Sequence, residues 1–159
     1  MTICCEIANQ YKDKTQAISY MESLLEMGEK KLGQEAYLLC MFKLAALKLQ
    51  ANRPDDLEQV KTLLAEQKEV VEGLVGAEPI VHAYYYFAAC QYYQKKGPAE
   101  LFYKNALMLL AYSPYEDLKV EDRIELATNI SLAALTGEGV FNFGEVVSVI
   151  DPKNDMPGI

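Results

Sequence analysis

The residues that could carry chemistry in this chain fall into a few small sets. Near the C-terminal end, Gly137-Glu138-Gly139-Val140-Phe141-Asn142-Phe143-Gly144-Glu145 gathers three glycines and two aromatics into nine residues. Glycines let backbone amides approach a phosphate, but the dinucleotide fingerprint needs G-x-G-x-x-G between a strand and a helix. Here the spacing is G-x-G-x-x-x-x-G after a helical pattern, and Glu145 follows the last glycine where a Walker loop needs Lys and then Ser or Thr. The run therefore reads as a turn. Gly137 or Gly139 is expected to close a helix in a left-handed conformation, with Phe141 and Phe143 pinning a next helix from about 142 to 150.

The other sets are no more complete. His82 is the only histidine, and Cys90 lies two helical turns away, ~12 Å along an axis. A packed or exposed histidine is the favoured reading. The vicinal pair Cys4-Cys5 could bind a soft metal, but no further ligand lies nearby, so a frayed or packing terminus is expected. The clusters Asp55-Asp56-Glu58 and Glu121-Asp122-Glu125 sit where helices start, where carboxylates cap free amides and complement the dipole. Five of the eleven tyrosines fall between Tyr84 and Tyr93 at helical spacing, which favours core and interface packing over stacking on bases or sugars. No residue is assigned to catalysis, to a cofactor or to a metal.

The elements that hold these residues are helices almost throughout. Ala17, Ile18, Met21, Leu24, Leu25 and Leu32 repeat at helical spacing between Thr15, a candidate cap, and Gly33, a candidate terminator. From Glu35 to Gln50 only Lys43 and Lys48 are strongly polar, so this helix is apolar nearly all round and must be buried. Asn52-Arg53-Pro54 breaks the chain, and an amphipathic stripe from Leu57 to Leu74 ends near Gly76. Pro79 opens a fourth helix to Lys96, again apolar on several sides. Gly97-Pro98 turns into a fifth that stops at Ser113-Pro114, and a sixth starts near Glu121-Asp122 and runs through Ala134.

Helix starts near Thr15, Asp55 and Pro98 are 40 and 43 residues apart, each opening a pair joined by a short turn. This is the period of an α-solenoid. The expected fold is all-α: one domain over 1–147, built of antiparallel helix pairs in irregular repeats, with a short tail over 148–159. Tyr86-x-x-Ala89-Cys90-x-x-Tyr93-x-x-x-Gly97 approximates the first helix of a tetratricopeptide repeat, once and loosely, so the array is expected to be TPR-like.

Composition bounds the partners. A chain of 159 residues with 51% hydrophobic residues can bury about 70% of its unfolded surface. Its net charge of −8, with no basic cluster larger than a pair, repels polyanions and argues against nucleic acid and anionic membranes. No apolar run approaches the ~20 residues of a membrane span, and the N-terminus has no signal-peptide pattern, so a soluble chain with reduced thiols is expected.

Tyr92-Tyr93-Gln94, Tyr103-Lys104-Asn105-Ala106-Leu107 and above all Leu135-Thr136-Gly137-Glu138-Gly139-Val140-Phe141-Asn142-Phe143-Gly144-Glu145 resemble the 26S proteasome non-ATPase regulatory subunit 13 family. Ala17, Leu39-Cys40 and Ala46-Leu47-Lys48-Leu49 extend the likeness from about Thr15 to Val147. The resemblance implies a non-catalytic solenoid scaffold of the regulatory-particle lid (19S). Its partners would be other lid subunits, its location cytoplasmic and nuclear, and its process ubiquitin-dependent protein degradation. The family continues into a winged-helix PCI module and a C-terminal assembly helix. Neither is expected in 148–159, nor are the family's N-terminal helices, so a fragment, an alternative product or an incomplete gene model is expected. Tyr86 and Tyr93 are expected in repeat packing, and Phe141 and Phe143 in structural or partner contact. A solenoid cut at both ends is also expected to self-associate. Two other readings stand beside it: a free-standing helical-repeat module that binds a peptide in a groove, and a small helical enzyme using carboxylates or cysteines.

Overall fold

The computed structural model describes residues 3–113 and 120–137. Within them helices follow one another: α1 (Ile3–Gln10), α2 (Lys14–Glu26), α3 (Glu29–Leu32), α4 (Gln34–Ala51), α5 (Pro54–Gly73), α6 (Pro79–Lys96), α7 (Ala99–Tyr112) and α8 (Val120–Thr136). No strand occurs among the described residues. Short turns fold consecutive long helices back on one another, and contacts run in series from α2 to α4, α4 to α6, α6 to α7 and α7 to α8. That stacking of neighbours is an all-α solenoid.

The all-round apolarity of α4 has a specific cause. Leu38, Leu39, Phe42, Ala45, Ala46 and Leu49 join a core shared with α5, α6, α7 and α8. Cys40, Leu44 and Leu47, on the opposite side, join a second core with Ala8 of α1 and Ala17, Ile18 and Met21 of α2. A helix between two cores has no room for a polar face. Its two expected polar residues leave sideways: Lys43 donates to Asn9 Oδ1 at 2.7 Å, and Lys48 pairs with Glu22 at 3.2 Å.

The C-terminal end of α4 is closed by its own cap residue and by lysines from two other helices. Asn52 takes the left-handed conformation at φ 55°, which asparagine tolerates better than most residues, and its N–H bonds Leu49 O at 3.3 Å. Lys95 at the end of α6 donates from Nζ to Leu49 O at 2.7 Å and also to Asn52 Oδ1. Lys14 of α2 donates to Gln50 O at 3.3 Å. Two ammonium groups thus meet the negative end of the helix dipole and its orphan carbonyls.

The first expected helix divides in two. Gly28, at φ 81°, ends α2 and starts the single turn of α3, so the chain breaks five residues before Gly33. The cap is Asp13, whose Oδ1 accepts from Thr15 N–H at 2.9 Å; Thr15 is the capped residue. The N-terminus is helical over α1, and the burial of Cys5 makes it the packing terminus of the two expected, not the frayed one. Asp55 and Asp56 lie in the first turn of α5 and complement its dipole, but they do not cap it: its N-cap is Arg53, without a side-chain bond. Gly137 N–H closes the last turn of α8 on Ala133 O at 2.8 Å. Gly139, Phe141, Phe143, the expected helix over 142–150 and the tail over 148–159 lie outside the described residues.

Candidate functional site

One stripe of α6, formed by Ala83, Phe87, Gln91 and Gln94, repeats at three- and four-residue steps and so runs down one side of the helix. It faces a groove of about 540 Å³. Leu126, Asn129 and Glu125 of α8 form the opposite wall, and Phe102 and Leu109 of α7 also line the groove. Among the described residues α8 packs mainly on α7 and leaves α6 only partly covered, which opens the groove. Lys43 and Gln50 of α4 contribute to it as well.

Two features of the lining are unusual for a finished core. Phe87 is 37% exposed, although its neighbours Tyr86 and Ala88 are buried. Gln91 Oε1 is buried yet has no hydrogen-bond donor among the described residues. An amide oxygen withdrawn from water without a donor costs on the order of 1–3 kcal/mol. Gln50, Gln91, Gln94 and Asn129 supply four carboxamides, each able to donate and to accept. Lys43 and Glu125 bring one charge of each sign.

The ionisable groups near the groove are tuned toward their neutral forms. Burial pushes the Cys90 thiol up to about 12 and the Tyr84 hydroxyl up to about 12. Burial raises Cys40 to about 11, with Cys5 and Cys4 adding to the effect. Cys5 is raised by burial too, against the opposing pull of Lys43 and of the Tyr84 hydroxyl that donates to its sulfur. Lys43 is lowered by burial and lies 5.9 Å from the Tyr84 ring centroid. These thiols stay protonated at neutral pH, which is the state of packing cysteines and not of nucleophiles. Among the described residues no group of three or more His, Cys, Asp or Glu side chains is placed to hold a metal.

Of the expected site residues, Tyr86 and Tyr93 do not line this groove, and Phe141 and Phe143 lie outside the described residues. Tyr86 is buried, stacked on Tyr112 with centroids 5.8 Å apart and planes at 11°. His82 stacks on Tyr112 as well, at 4.5 Å and 14°, so the lone histidine is a packed one, one turn of α6 before Tyr86. Tyr93 is half-buried against the core and meets Tyr92 edge-on at 5.3 Å. Sequence reasoning missed Phe87, Gln91, Gln94 and Asn129. Their helical spacing was available; the gap between α6 and α8 was not.

Helices stacked in series around shared cores, with a groove left between two of them, define a helical-repeat protein of the α-solenoid class. Sequence comparison narrows this. Residues 1–150 match the model of the family described as PSD13 N-terminal repeats, and the chain belongs to that family. It is 32% identical over 146 residues to the 26S proteasome non-ATPase regulatory subunit 13 of Dictyostelium discoideum, covering 92% of this chain and 37% of that protein. The homolog A of the same subunit in Arabidopsis thaliana is also 32% identical, over 89% of this chain and 37% of its own length. The probable 26S proteasome regulatory subunit rpn9 of Schizosaccharomyces pombe is 25% identical over 77% of this chain and 31% of its own. The chain thus spans well under half the length of the relatives it matches.

Proposed function

We propose that this chain is a non-catalytic scaffold segment of the proteasome regulatory-particle lid, supporting lid assembly and thereby ubiquitin-dependent degradation in cytoplasm and nucleus. The observation that carries the reading is the family match over residues 1–150, with relatives named as proteasome regulatory subunits. In this reading residues 1–147 act as one helical-repeat domain and 148–159 as a tail. Other lid subunits are the partners. Tyr86 and Tyr93 hold the repeats together, and Phe141 and Phe143 serve structural or partner contact.

Apolar side chains at both ends of the stack support a role in assembly. Ile3 and Ile7 are exposed on α1, and Ile124, Leu132 and Leu135 on α8, with Leu135 69% exposed. Such faces are covered by neighbours in a solenoid array, and the same faces favour self-association of the free chain. The test is to express the tagged chain in cells, purify it at physiological salt and identify co-purifying proteins by mass spectrometry. Stoichiometric recovery of lid subunits is expected. Their absence refutes the lid role, leaving family membership intact.

A further inference from the structure

We propose that the groove between α6 and α8 takes a short extended peptide segment from another protein. An apolar side chain of that segment sits on Phe87, and the carboxamides of Gln91, Gln94 and Asn129 hydrogen-bond its backbone. The proposal goes beyond the scaffold role and holds for the chain on its own.

The groove's chemistry selects this occupant. Among the described lining residues the charged ones are Lys43 and Glu125, of opposite signs, so neither a polyanion nor a strongly basic segment is favoured. Its uncharged polar lining is mostly carboxamide, from Gln50, Gln91, Gln94 and Asn129, with the hydroxyls of Tyr84 and Ser113 beside them, and these side chains match the alternating N–H and C=O of a peptide whose own backbone bonds are unmade. A helical segment has already used those groups and would leave the buried Gln91 Oε1 unpaired. Ala83 to Gln94 is twelve residues of α6, ~16 Å along its axis, which an extended chain covers in about five residues. The cavity of about 540 Å³ lies in the range of ligand-binding clefts. A second folded copy is the poorer fit, since a stable dimer buries ~800 Å² on each partner, more than this groove presents.

The experiment pans a displayed library of random peptides against the whole chain and measures a labelled selected peptide by fluorescence anisotropy. Enriched sequences are expected to share an apolar residue within a short extended core. Phe87→Ala and Gln91→Leu should each weaken binding by about tenfold or more, as should N-methylation of the peptide amide that meets Gln91. Gln91→Leu removes the unpaired oxygen at similar volume, so its urea midpoint should equal or exceed that of the unsubstituted chain. A peptide lost through misfolding would instead come with a lower midpoint, in which case Gln91→Glu, added as a second variant, must still discriminate between peptides with and without the N-methyl group. Failure to enrich any peptide overturns the proposal, as does a peptide indifferent to both substitutions. Two other outcomes overturn it by naming another occupant. One is preferential binding of a synthetic peptide with the sequence of residues 140–150; the other is a concentration-dependent dimer in sedimentation that Phe87→Ala abolishes.

Discussion

Replacing Phe42 by alanine tests the claim that α4 is the helix on which the fold turns. Phe42 is 0% exposed and meets the Tyr85 ring of α6 edge-on, with centroids 5.2 Å apart at 73°. Returning a buried aromatic to water in the unfolded chain accounts for about 1.5–3 kcal/mol, and the cavity left in a close-packed interior raises the cost to ~3–5 kcal/mol. Domains of this kind are stable by only about 5–15 kcal/mol, so the substitution removes a large share of the total. At about 2–4 °C per kcal/mol for a chain of this size, the midpoint should fall by roughly 6–20 °C. The assay is urea and thermal unfolding followed by circular dichroism. Phe87→Ala is the control, since its ring is partly in water and its loss should cost far less, while weakening peptide capture by about tenfold or more. A Phe42→Ala cost below ~1 kcal/mol, or one equal to that of Phe87→Ala, would refute the packing argument.

Two further perturbations probe other features. Lys95→Met keeps most of the side chain's bulk but removes the ammonium from Leu49 O and Asn52, and should cost about 1–2 kcal/mol in urea unfolding, with the loss shrinking at high salt. An unchanged midpoint would mean that solvent already satisfies that helix end. Cys90, raised by burial from 9.0 to about 12, links folding to alkaline pH. Between these values the unfolded thiol ionises while the folded one keeps its proton, so the unfolded state binds fewer protons and stability falls as pH rises. The slope from this group approaches about 1.4 kcal/mol per pH unit, and Cys90→Ala should flatten the profile across that window. A Cys90→Ala profile parallel to the parent's from pH 9.0 to about 12 would contradict the burial of this thiol.

The long helices were legible because their causes are local or periodic. α4 and α6 declare themselves by lacking a polar face, and Pro54, Pro79 and Gly97-Pro98 punctuate them. Smaller features were set by competitions that periodicity does not resolve. Gly28 and Gly33 both lie beyond the main stripe of α2, and only the backbone decides that the first one breaks the helix. Asp13 and Thr15 are both good caps, and the side chain that reaches a free amide wins. α1 is too short for its pattern to stand out, and it is held by tertiary burial of Cys5 and Ala8. The groove was least legible of all. Phe87 looks in sequence like any other aromatic of α6, and only the placement of α8 leaves it half in water.

The unequal attachment of the helices has a mechanical consequence. Among the described residues α4 is gripped by α1, α2, α3, α5 and α6, and both cores meet on it, whereas α8 is fastened chiefly to α7. The free energy of opening must therefore rise steeply from the α8 end toward the middle. Strain applied at α8 reaches α4 through α7 and α6, so the middle of the stack is its stiffest part.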